Sequence, residues 1–219
     1  MYSLEVKLKN QKEMSAPKLI DITPFGPTII KVHYDGFDWN ELKPLCDDMI
    51  VKSIQNAKLE IGGGSSSVYN LENQPHTNPA FKKFYQWLTP IVNHILLEEW
   101  KLLKEFEYYY GNSWVNVHPK GAVTTEHSHG SSVMVVAAYL ELPENSGYIQ
   151  FKDPLEYLKS FHTRQAEYVS DYHTVPAVTG DVFLFPGWLK HKTEYNKSNL
   201  DRWVLTTNIV SDIKHKGIK

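Results

Sequence analysis

Apolar and polar residues alternate along most of the chain from residue 106 to about residue 210. A period of two is typical of β-strands that bury one face, and turn-forming residues divide this half of the chain into short segments. The pattern predicts strands at 106–118, 122–128, 133–142, 147–152, 172–178, 181–185, 190–195 and 201–210. Many short strands separated by turns are typical of sandwiches and barrels, so we expect a mainly β fold of the jelly-roll type.

Before residue 106 the pattern is helical, except for one strand predicted at 28–34. Asp38 is a candidate N-cap for a helix that runs to about Lys58. Asn78-Pro79 begins a second helix, whose apolar stripe reaches about Leu103. Such a stripe is more often core than ligand site, so we expect the helices to pack on one face of the sheet.

The segment 59–73 between these helices is predicted to be a loop, because it contains the run Gly62-Gly63-Gly64 followed by three serines. It carries no lysine at the spacing of a phosphate-binding loop, which disfavours a nucleotide-binding function.

We expect one domain with a loosely held tail at each end. The predicted tails are residues 1–17 and 211–219, and the domain is 18–210, with helical support at 38–104 and a β core at 106–210. The chain has 219 residues, of which 42% are hydrophobic, and this is enough to bury a sizeable core.

Charge and cysteine content narrow the class of protein. The formal net charge of −2 gives no broad basic field, so we expect no nucleic-acid partner. Cys46 is the only cysteine, which excludes an intramolecular disulfide and suits a reducing compartment. The sequence has neither a stretch of about 18 apolar residues nor a hydrophobic signal core. We therefore expect a cytoplasmic protein without a membrane partner.

His127 and His129 form a His-x-His pair on a predicted strand, and residues i and i+2 of a strand point to the same face. Both imidazoles can therefore reach one metal ion. Ten histidines in 219 residues give about 0.5 such pairs by chance, so the pair needs support from its context. That support is a third histidine, His191, on a later strand, and Arg202 on the next. Imidazole suits iron, zinc, copper and nickel alike, so the residues alone do not select the metal.

The spacing of His191 and Arg202 predicts a hairpin with its turn at Asn196-Lys197, which would place the two residues directly opposite each other. Opposed residues have Cβ atoms about 4.5–5.5 Å apart. An arginine beside a divalent cation is repelled unless an anion lies between them, and a guanidinium pairs with a carboxylate through two hydrogen bonds. We therefore expect a small carboxylate ligand that bridges the metal and Arg202.

Other polar residues are assigned lesser roles. Glu126 precedes His127 and should point to the opposite face, either solvated or supporting a ligand. Three further histidines are expected on the surface or in loops: His118, His162 and His173.

Several motifs resemble one branch of the 2-oxoglutarate and Fe(II)-dependent oxygenase superfamily, the branch common in bacteria and phages whose first motif reads His-x-His. The resemblance covers roughly residues 22–210. It rests on Trp114-Val-Asn116, His127-Ser-His129-Gly-Ser-Ser, Tyr139-Leu140, Gly147, Phe151-Lys-Asp153-Pro154, Gly180-Asp181, Phe185-Pro186-Gly-Trp188-Leu189-Lys-His191, and Asp201-Arg202 through Asn208. It implies a double-stranded β-helix, a cupin-like jelly roll, with N-terminal helices that support the larger sheet.

The resemblance also implies roles for individual residues. His127, His129 and His191 correspond to the ligands of Fe(II). Arg202 corresponds to the anchor of the far carboxylate of 2-oxoglutarate, so these four are the predicted catalytic residues.

The chain departs from the family two residues after the arginine. The family usually has a serine there that shares the carboxylate, whereas this chain has Val204. Thr206 lies on the same strand face and is the predicted substitute. Asn116 and Tyr139 are predicted to donate hydrogen bonds to 2-oxoglutarate.

The activity implied is that of a dioxygenase that uses 2-oxoglutarate to hydroxylate an amino acid, a peptidyl residue or another small molecule, with ascorbate as an auxiliary reductant. A homodimer is compatible with this activity. The long connection 152–172 is expected near the mouth of the site. Two alternatives stay open, namely a cupin-like dioxygenase with three histidines that does not use 2-oxoglutarate, and a non-catalytic binding protein on the same fold.

Overall fold

The structure is a computed structural model that describes residues 29–156 and 171–213. The predicted tail 1–17, His162 and most of the connection 152–172 lie outside these residues.

Eleven strands account for most of the regular structure in the described ranges. They are β1 (Ile30–His33), β2 (Glu60–Ile61), β3 (Ser65–Ser66), β4 (Phe106–His118), β5 (Val123–Thr124), β6 (Met134–Glu141), β7 (Ile149–Lys152), β8 (Tyr172–Thr174), β9 (Asp181–Pro186), β10 (His191–Thr193) and β11 (Arg202–Ile213). Every predicted strand segment overlaps one of them, and β4 has the predicted bounds. β11 continues to Ile213, into the predicted C-terminal tail.

The strands form two main antiparallel sheets. The larger sheet has the order β1-β9-β6-β11-β4-β3, and the smaller has the order β10-β7-β8. A two-stranded pair, β2-β5, lies beside them, and a bridge between His127 and His191 continues from β5 toward β10. From β6 to β11 the chain passes repeatedly between the two sheets, with β6, β9 and β11 in the larger sheet and β7, β8 and β10 in the smaller one. The prediction of a mainly β, double-stranded β-helix fold is confirmed.

Two helices precede the β core. Helix α1 (Trp39–Val51) begins as predicted, because the Asp38 side chain accepts hydrogen bonds from the backbone N–H groups of Asn40 and Glu41. It ends seven residues before the predicted Lys58. Val51 and Ile54 are largely exposed, so a longer helix would have no apolar face to bury.

Helix α2 (Lys82–His94) follows a 3-10 turn at Pro79–Phe81 and continues into a π-helical turn at Ile95–Glu99. A further 3-10 turn spans Pro75–Thr77. The helical segment ends before the predicted Leu103 because Lys101 adopts a positive φ of 54°, outside the helical region. None of the helices in the described ranges has the length and apolar character of a membrane span.

The apolar stripe of α2 forms the core against the larger sheet, as predicted. Phe84, Leu88 and Ile95 are buried there, together with residues from the odd positions of β11, which are Trp203, Leu205 and Ile209. The ring of Trp203 lies 5.5 Å from that of Trp39 in α1. The opposite face of the larger sheet meets the smaller sheet in a second apolar cluster, so the space between the sheets is separate from the helical core.

Truncation of the helical core should destabilise the protein. Leu88 is fully buried, and Leu88→Ala is expected to lower the free energy of unfolding by about 3 kcal/mol, because it removes apolar contacts and leaves a cavity. Urea unfolding followed by circular dichroism measures this difference. Leu71→Ala is the control, since Leu71 is 69% exposed and its change should stay within about 0.5 kcal/mol. Equal losses in both variants would contradict the packing described here.

Candidate metal centre and cavity

A cavity of about 350 Å³ lies between the two sheets. Inward-facing residues of β4, β6, β9 and β11 form one side of it, and residues of β7 and β10 form the other. The segment 57–69, which includes β2 and β3, contributes a further wall. Its surface is mainly apolar, which is typical of ligand sites that carry a few placed polar groups.

Three histidines meet in this cavity. His127, His129 and His191 each offer one ring nitrogen, and these three atoms lie within 4.8 Å of one another. The two residues of the His-x-His pair do not lie on a regular strand, because only His127 forms a bridge, to His191, in the irregular stretch after β5. Both side chains nonetheless line the cavity.

Hydrogen bonds determine which ring nitrogen of each histidine faces the others. The Nδ1 atom lies 2.8 Å from the Thr125 carbonyl oxygen in His127 and 2.8 Å from the Leu189 carbonyl oxygen in His191. In His129, Nδ1 lies 2.7 Å from Asn208 Oδ1. Carbonyl and amide oxygens only accept, so each Nδ1 must carry the proton and each Nε2 keeps a lone pair.

Burial keeps these imidazoles neutral. It lowers the pKa of all three histidines, to about 4 for His129, and mutual repulsion between their charged forms lowers the pKa of His129 and His191 further. The Nε2 atom of His129 is buried and has no hydrogen-bond partner in the described residues. Three neutral nitrogen donors that converge on one point, one of them an unsatisfied buried atom, fit a divalent transition metal.

The orientation of His129 depends on neighbours from β11 and β4. Asn208 and Asn112 are paired in the sheet, and Asn208 Nδ2 donates to Asn112 Oδ1 over 2.8 Å. This bond directs Asn208 Oδ1 toward the histidine. The ring of Trp114 is stacked on that of His129, with centroids 5.7 Å apart and planes inclined by 15°.

The predicted hairpin between His191 and Arg202 is wrong. β10 pairs with β7 in the smaller sheet, whereas β11 pairs with β4 and β6 in the larger one, where Arg202 lies opposite His118. Residues 194–201 therefore cross from one sheet to the other. Asn196 supports that crossing, because its Nδ2 donates to the carbonyl oxygens of His118 and Leu200 instead of forming a tight turn.

Arg202 is fully buried, and one side of its guanidinium is occupied. Nη1 donates to the carbonyl oxygens of Ser146, Gly147 and Glu194. Gly147 has a positive φ of 78°, and an added Cβ would lie 3.1 Å from Nη1, so the close approach requires glycine.

The other edge of the guanidinium has one donor without a partner. Nη2 donates to Thr193 Oγ1 over 3.0 Å, and Nε has no partner in the described residues. Nε and Nη2 are the two donors that a carboxylate engages together. Arg202 is not itself among the residues that line the cavity, whereas Thr193, which accepts from it, does line the cavity.

Asn116, Tyr139 and Thr206 were predicted to contact 2-oxoglutarate, and Val204 stands where the family usually has a serine. All four residues line the cavity. Asn116 Nδ2 lies 3.4 Å from Thr206 Oγ1, and Asn116 Oδ1 has no partner in the described residues. The Tyr139 hydroxyl accepts a hydrogen bond from the Ile149 N–H, and burial raises the pKa of Tyr139 to about 12. That hydroxyl therefore keeps its proton at neutral pH and can donate it in a hydrogen bond.

Two cavity residues escaped the sequence analysis. His118 was expected on the surface, but it is 1% exposed, and its Nε2 lies 2.7 Å from both Glu60 Oε2 and Thr124 Oγ1. Glu60 lies in the predicted loop, which in fact contributes the short strands β2 and β3. The position of His118 could have been predicted, because it lies two residues after Asn116 on β4 and so points to the same face of the sheet.

The remaining polar residues lie away from the cavity. Glu126 lies 3.7 Å from the ammonium groups of Lys152 and Lys190, and its carboxylate also accepts a hydrogen bond from Tyr172. It is not among the residues that line the cavity. His173 is exposed, as predicted.

The segment that builds this cavity matches a known family. Residues 112–208 match the family described as "Putative 2OG-Fe(II) oxygenase", and this range contains all three histidines and Arg202. The β core is therefore similar to this family, in agreement with the resemblance of its motifs. No curated protein matches the chain in sequence.

Solved structures of such oxygenases share the fold. A prolyl-4-hydroxylase from Pseudomonas putida is 14% identical, with a TM-score of 0.56, over 83% of this chain and 91% of that one. SnoK, a non-heme alpha ketoglutarate dependent carbocyclase from nogalamycin biosynthesis, is 12% identical, with a TM-score of 0.56, over 85% and 81%. HygX from Streptomyces hygroscopicus, crystallised with nickel, 2-oxoglutarate and hygromycin B, is 10% identical, with a TM-score of 0.57, over 83% and 82%.

The buried histidines should make the metal-free protein sensitive to acid. The unfolded chain binds a proton at His129 near pH 6.5, but the folded chain does so only near pH 4, so stability is lost as the pH falls through this interval. This group should account for about 3 kcal/mol of the free energy of unfolding lost between pH 7 and pH 4. Urea unfolding in the presence of a chelator measures the loss.

His129→Gln should reduce the pH dependence by that amount, whereas His173→Gln, at an exposed position, should leave it unchanged. If the free energy of unfolding fell equally with pH in the wild type and in His129→Gln, His129 would not be held neutral by burial.

Proposed function

We propose that this protein is a dioxygenase that couples oxidative decarboxylation of 2-oxoglutarate to hydroxylation of a small-molecule or peptidyl substrate. His127, His129 and His191 would hold Fe(II). The observation that carries the proposal is the convergence of three Nε2 lone pairs in a cavity whose segment matches the 2-oxoglutarate and Fe(II)-dependent oxygenases.

The three histidine nitrogens could bind Fe(II) and leave other coordination positions free. Three protein ligands leave open positions on a six-coordinate metal, as in the facial triads of non-haem iron oxygenases. When bound, Fe(II) together with 2-oxoglutarate and dioxygen supplies the oxidising power for attack on a C–H bond. The residues of this chain would hold both groups and limit the access of water.

The cavity beside Thr193 is a suitable position for the far carboxylate of 2-oxoglutarate. Thr193 is two residues after His191 on β10, a step of about 6.6 Å along a strand, which suits a five-carbon dicarboxylate. Thr193 Oγ1 accepts from Arg202 Nη2, and Nε of the same guanidinium has no partner in the described residues. The Tyr139 hydroxyl has a proton to donate, and Thr206 supplies the hydroxyl that Val204 lacks.

Apolar side chains would keep this part of the cavity dry. Val135, Ile149, Phe185 and Val204 line it, and all four are buried. A low-dielectric wall strengthens the interaction of Arg202 with a carboxylate and excludes water that would compete for the same donors.

The chemical outcome depends on the substrate. Proteins of the same fold include a carbocyclase, an epimerase and a prolyl-4-hydroxylase by their own descriptions. A substrate screen should therefore detect any mass change in candidate amino acids, peptides and small molecules, and not only the addition of oxygen.

Turnover of 2-oxoglutarate is the direct test. Protein incubated with Fe(II), ascorbate and 2-oxoglutarate should form succinate. Tyr139→Phe should raise the KM for 2-oxoglutarate about tenfold, because one hydrogen bond to a charged group is lost. Tyr195→Phe is the control, since Tyr195 is 56% exposed and should not affect turnover.

Succinate formation that is absent throughout a substrate screen would favour the non-catalytic alternative. Oxygen consumption without succinate would favour a three-histidine dioxygenase that does not use 2-oxoglutarate.

Removal of a proposed metal ligand should abolish tight metal binding. His191→Ala removes one of the three donors and should weaken binding of Co(II) or Zn(II) by at least about tenfold, as measured by isothermal titration calorimetry. His173→Ala, at an exposed position, should bind as the wild type does. Unchanged affinity in His191→Ala would refute the assignment of the site.

A further inference from the structure

The cavity contains one acidic side chain that the proposed function leaves without a role. Glu60 is the only carboxylate among the described residues that line it, and it lies outside the segment that matches the family. Its side chain is 3% exposed. Burial of a carboxylate in a mainly apolar cavity is unfavourable unless the charge is stabilised, so its retention there needs a physical reason.

Two donors hold the carboxylate in position. Glu60 pairs with Thr124 across β2 and β5, and Thr124 Oγ1 donates to Oε1 over 2.9 Å. His118 Nε2 lies 2.7 Å from Oε2. Burial lowers the pKa of His118, which therefore donates as a neutral imidazole and leaves the negative charge of Glu60 uncancelled.

Glu60 lines the same cavity as His127 and is linked to Arg202 by hydrogen bonds. Thr124 Oγ1 donates to Glu60, the Thr124 N–H donates to Thr193 Oγ1, and Thr193 Oγ1 also accepts from Arg202 Nη2. Burial lowers the pKa of Arg202, and the negative charge of Glu60 opposes that shift. Within the described ranges no carboxylate lies within 4.0 Å of the Arg202 guanidinium. Glu60 thus acts on the cavity as a fixed charge at a distance and not through a salt bridge with Arg202.

A count of charges shows what this group could balance. In a site with two histidines and one carboxylate, that carboxylate contributes a negative charge beside the metal. The three histidines here contribute none, so a divalent cation, a 2-oxoglutarate dianion and Arg202 together carry one excess positive charge. The single negative charge of Glu60 balances that excess among the buried groups, since Lys58, the lysine among the lining residues, is exposed.

We propose that Glu60 supplies, from the cavity wall, the negative charge that a ligand set of three histidines lacks, and that it thereby strengthens cation binding without being a ligand. Its carboxylate is not part of the group of ligand atoms that lie within 4.8 Å of one another. This inference rests on the proposed function, because it assumes that the histidines hold a divalent cation and that 2-oxoglutarate binds beside it.

The proposal predicts changes of opposite sign for the two ligands. A fixed negative charge attracts the cation and repels the dianion. Glu60→Gln keeps the size of the side chain and an oxygen acceptor for Thr124 and His118, but it removes the charge. We expect the Kd for Co(II) to rise on the order of tenfold and the Kd for 2-oxoglutarate, measured on protein saturated with Co(II), to fall. General damage to the site would weaken both.

The matched control is Glu126→Gln. Glu126 lies next to His127 in sequence and its loss changes the net charge equally, but it lies outside the cavity beside Lys152 and Lys190. Both Kd values should stay at the wild-type level in this variant. The effect of Glu60→Gln should persist at high ionic strength, because a buried charge is poorly screened by salt, whereas a surface effect would disappear.

Glu60→Asp separates charge from shape. It shortens the side chain and keeps the charge, so its Co(II) affinity should lie close to that of the wild type. Isothermal titration calorimetry and the ligand-field absorption of bound Co(II) provide two independent readouts of binding. The inference is overturned if Glu60→Gln binds Co(II) as tightly as the wild type, if it loses affinity for both ligands, or if Glu60→Asp behaves like Glu60→Gln.

The proposed function and this inference fail in different ways. If the wild type binds neither Co(II) nor 2-oxoglutarate, the proposed function fails. If the wild type binds both and Glu60→Gln changes neither Kd, only the role assigned to Glu60 fails.

Discussion

The side chains of β11 alternate between the helical core and the cavity, and the positions of the neighbouring strands depend on this alternation. Its odd positions, Trp203, Leu205 and Ile209, pack against the helices, and its even positions, Val204, Thr206 and Asn208, face the space between the sheets. β11 pairs with β4 on one side and with β6 on the other, so its register fixes that of both neighbours. A shift by one residue would bury the polar face in the helical core, which makes the observed register strongly preferred.

The fold could be predicted largely because burial imposes a period on the sequence. The larger sheet is buried on both faces at its centre, and β6 and β9 are entirely apolar apart from Asp181 and Glu141. The apolar stripe that begins at Phe81 required a partner surface, which is the outer face of that sheet. Helix α1 ends earlier than predicted because Val51 and Ile54 are exposed and have no partner surface, which their apolar character in the sequence does not reveal.

The arrangement of the site was harder to predict from the sequence than the fold was, and the reason differs between residues. The strand parity of His127 and His129 predicted that both imidazoles would reach one point, and both line the cavity although the stretch is not a regular strand. The pairing of His191 with Arg202 required knowledge of which strands are neighbours, and a symmetric count of residues around Asn196 suggested a hairpin where the chain in fact changes sheets. Glu60 lies on a strand of two residues without periodicity, so nothing local distinguished it from a loop.

The histidines depend on their acceptors as much as on one another. Two of them donate Nδ1–H to carbonyl oxygens two residues earlier in the chain, so the backbone that places each ring also sets its tautomer. His129 instead relies on the side chain of Asn208, which is held by Asn112. Two rings are therefore oriented by the local path of the chain, and the third by the pairing of two distant strands.

The cavity is assembled from two stretches of chain, one inside the family match and one outside it. Residues 112–208 supply the histidines and Arg202, whereas the wall at 57–69, with Glu60, Ser66 and Tyr69, comes from outside the family match. That wall is joined to the β core through the short pairs β2-β5 and β3-β4, and the Leu59 carbonyl accepts from the Thr125 N–H. Because the Thr125 carbonyl in turn orients His127, the backbone path of the wall is transmitted to one of the three rings. A segment remote in sequence from the histidines therefore shares in setting their geometry.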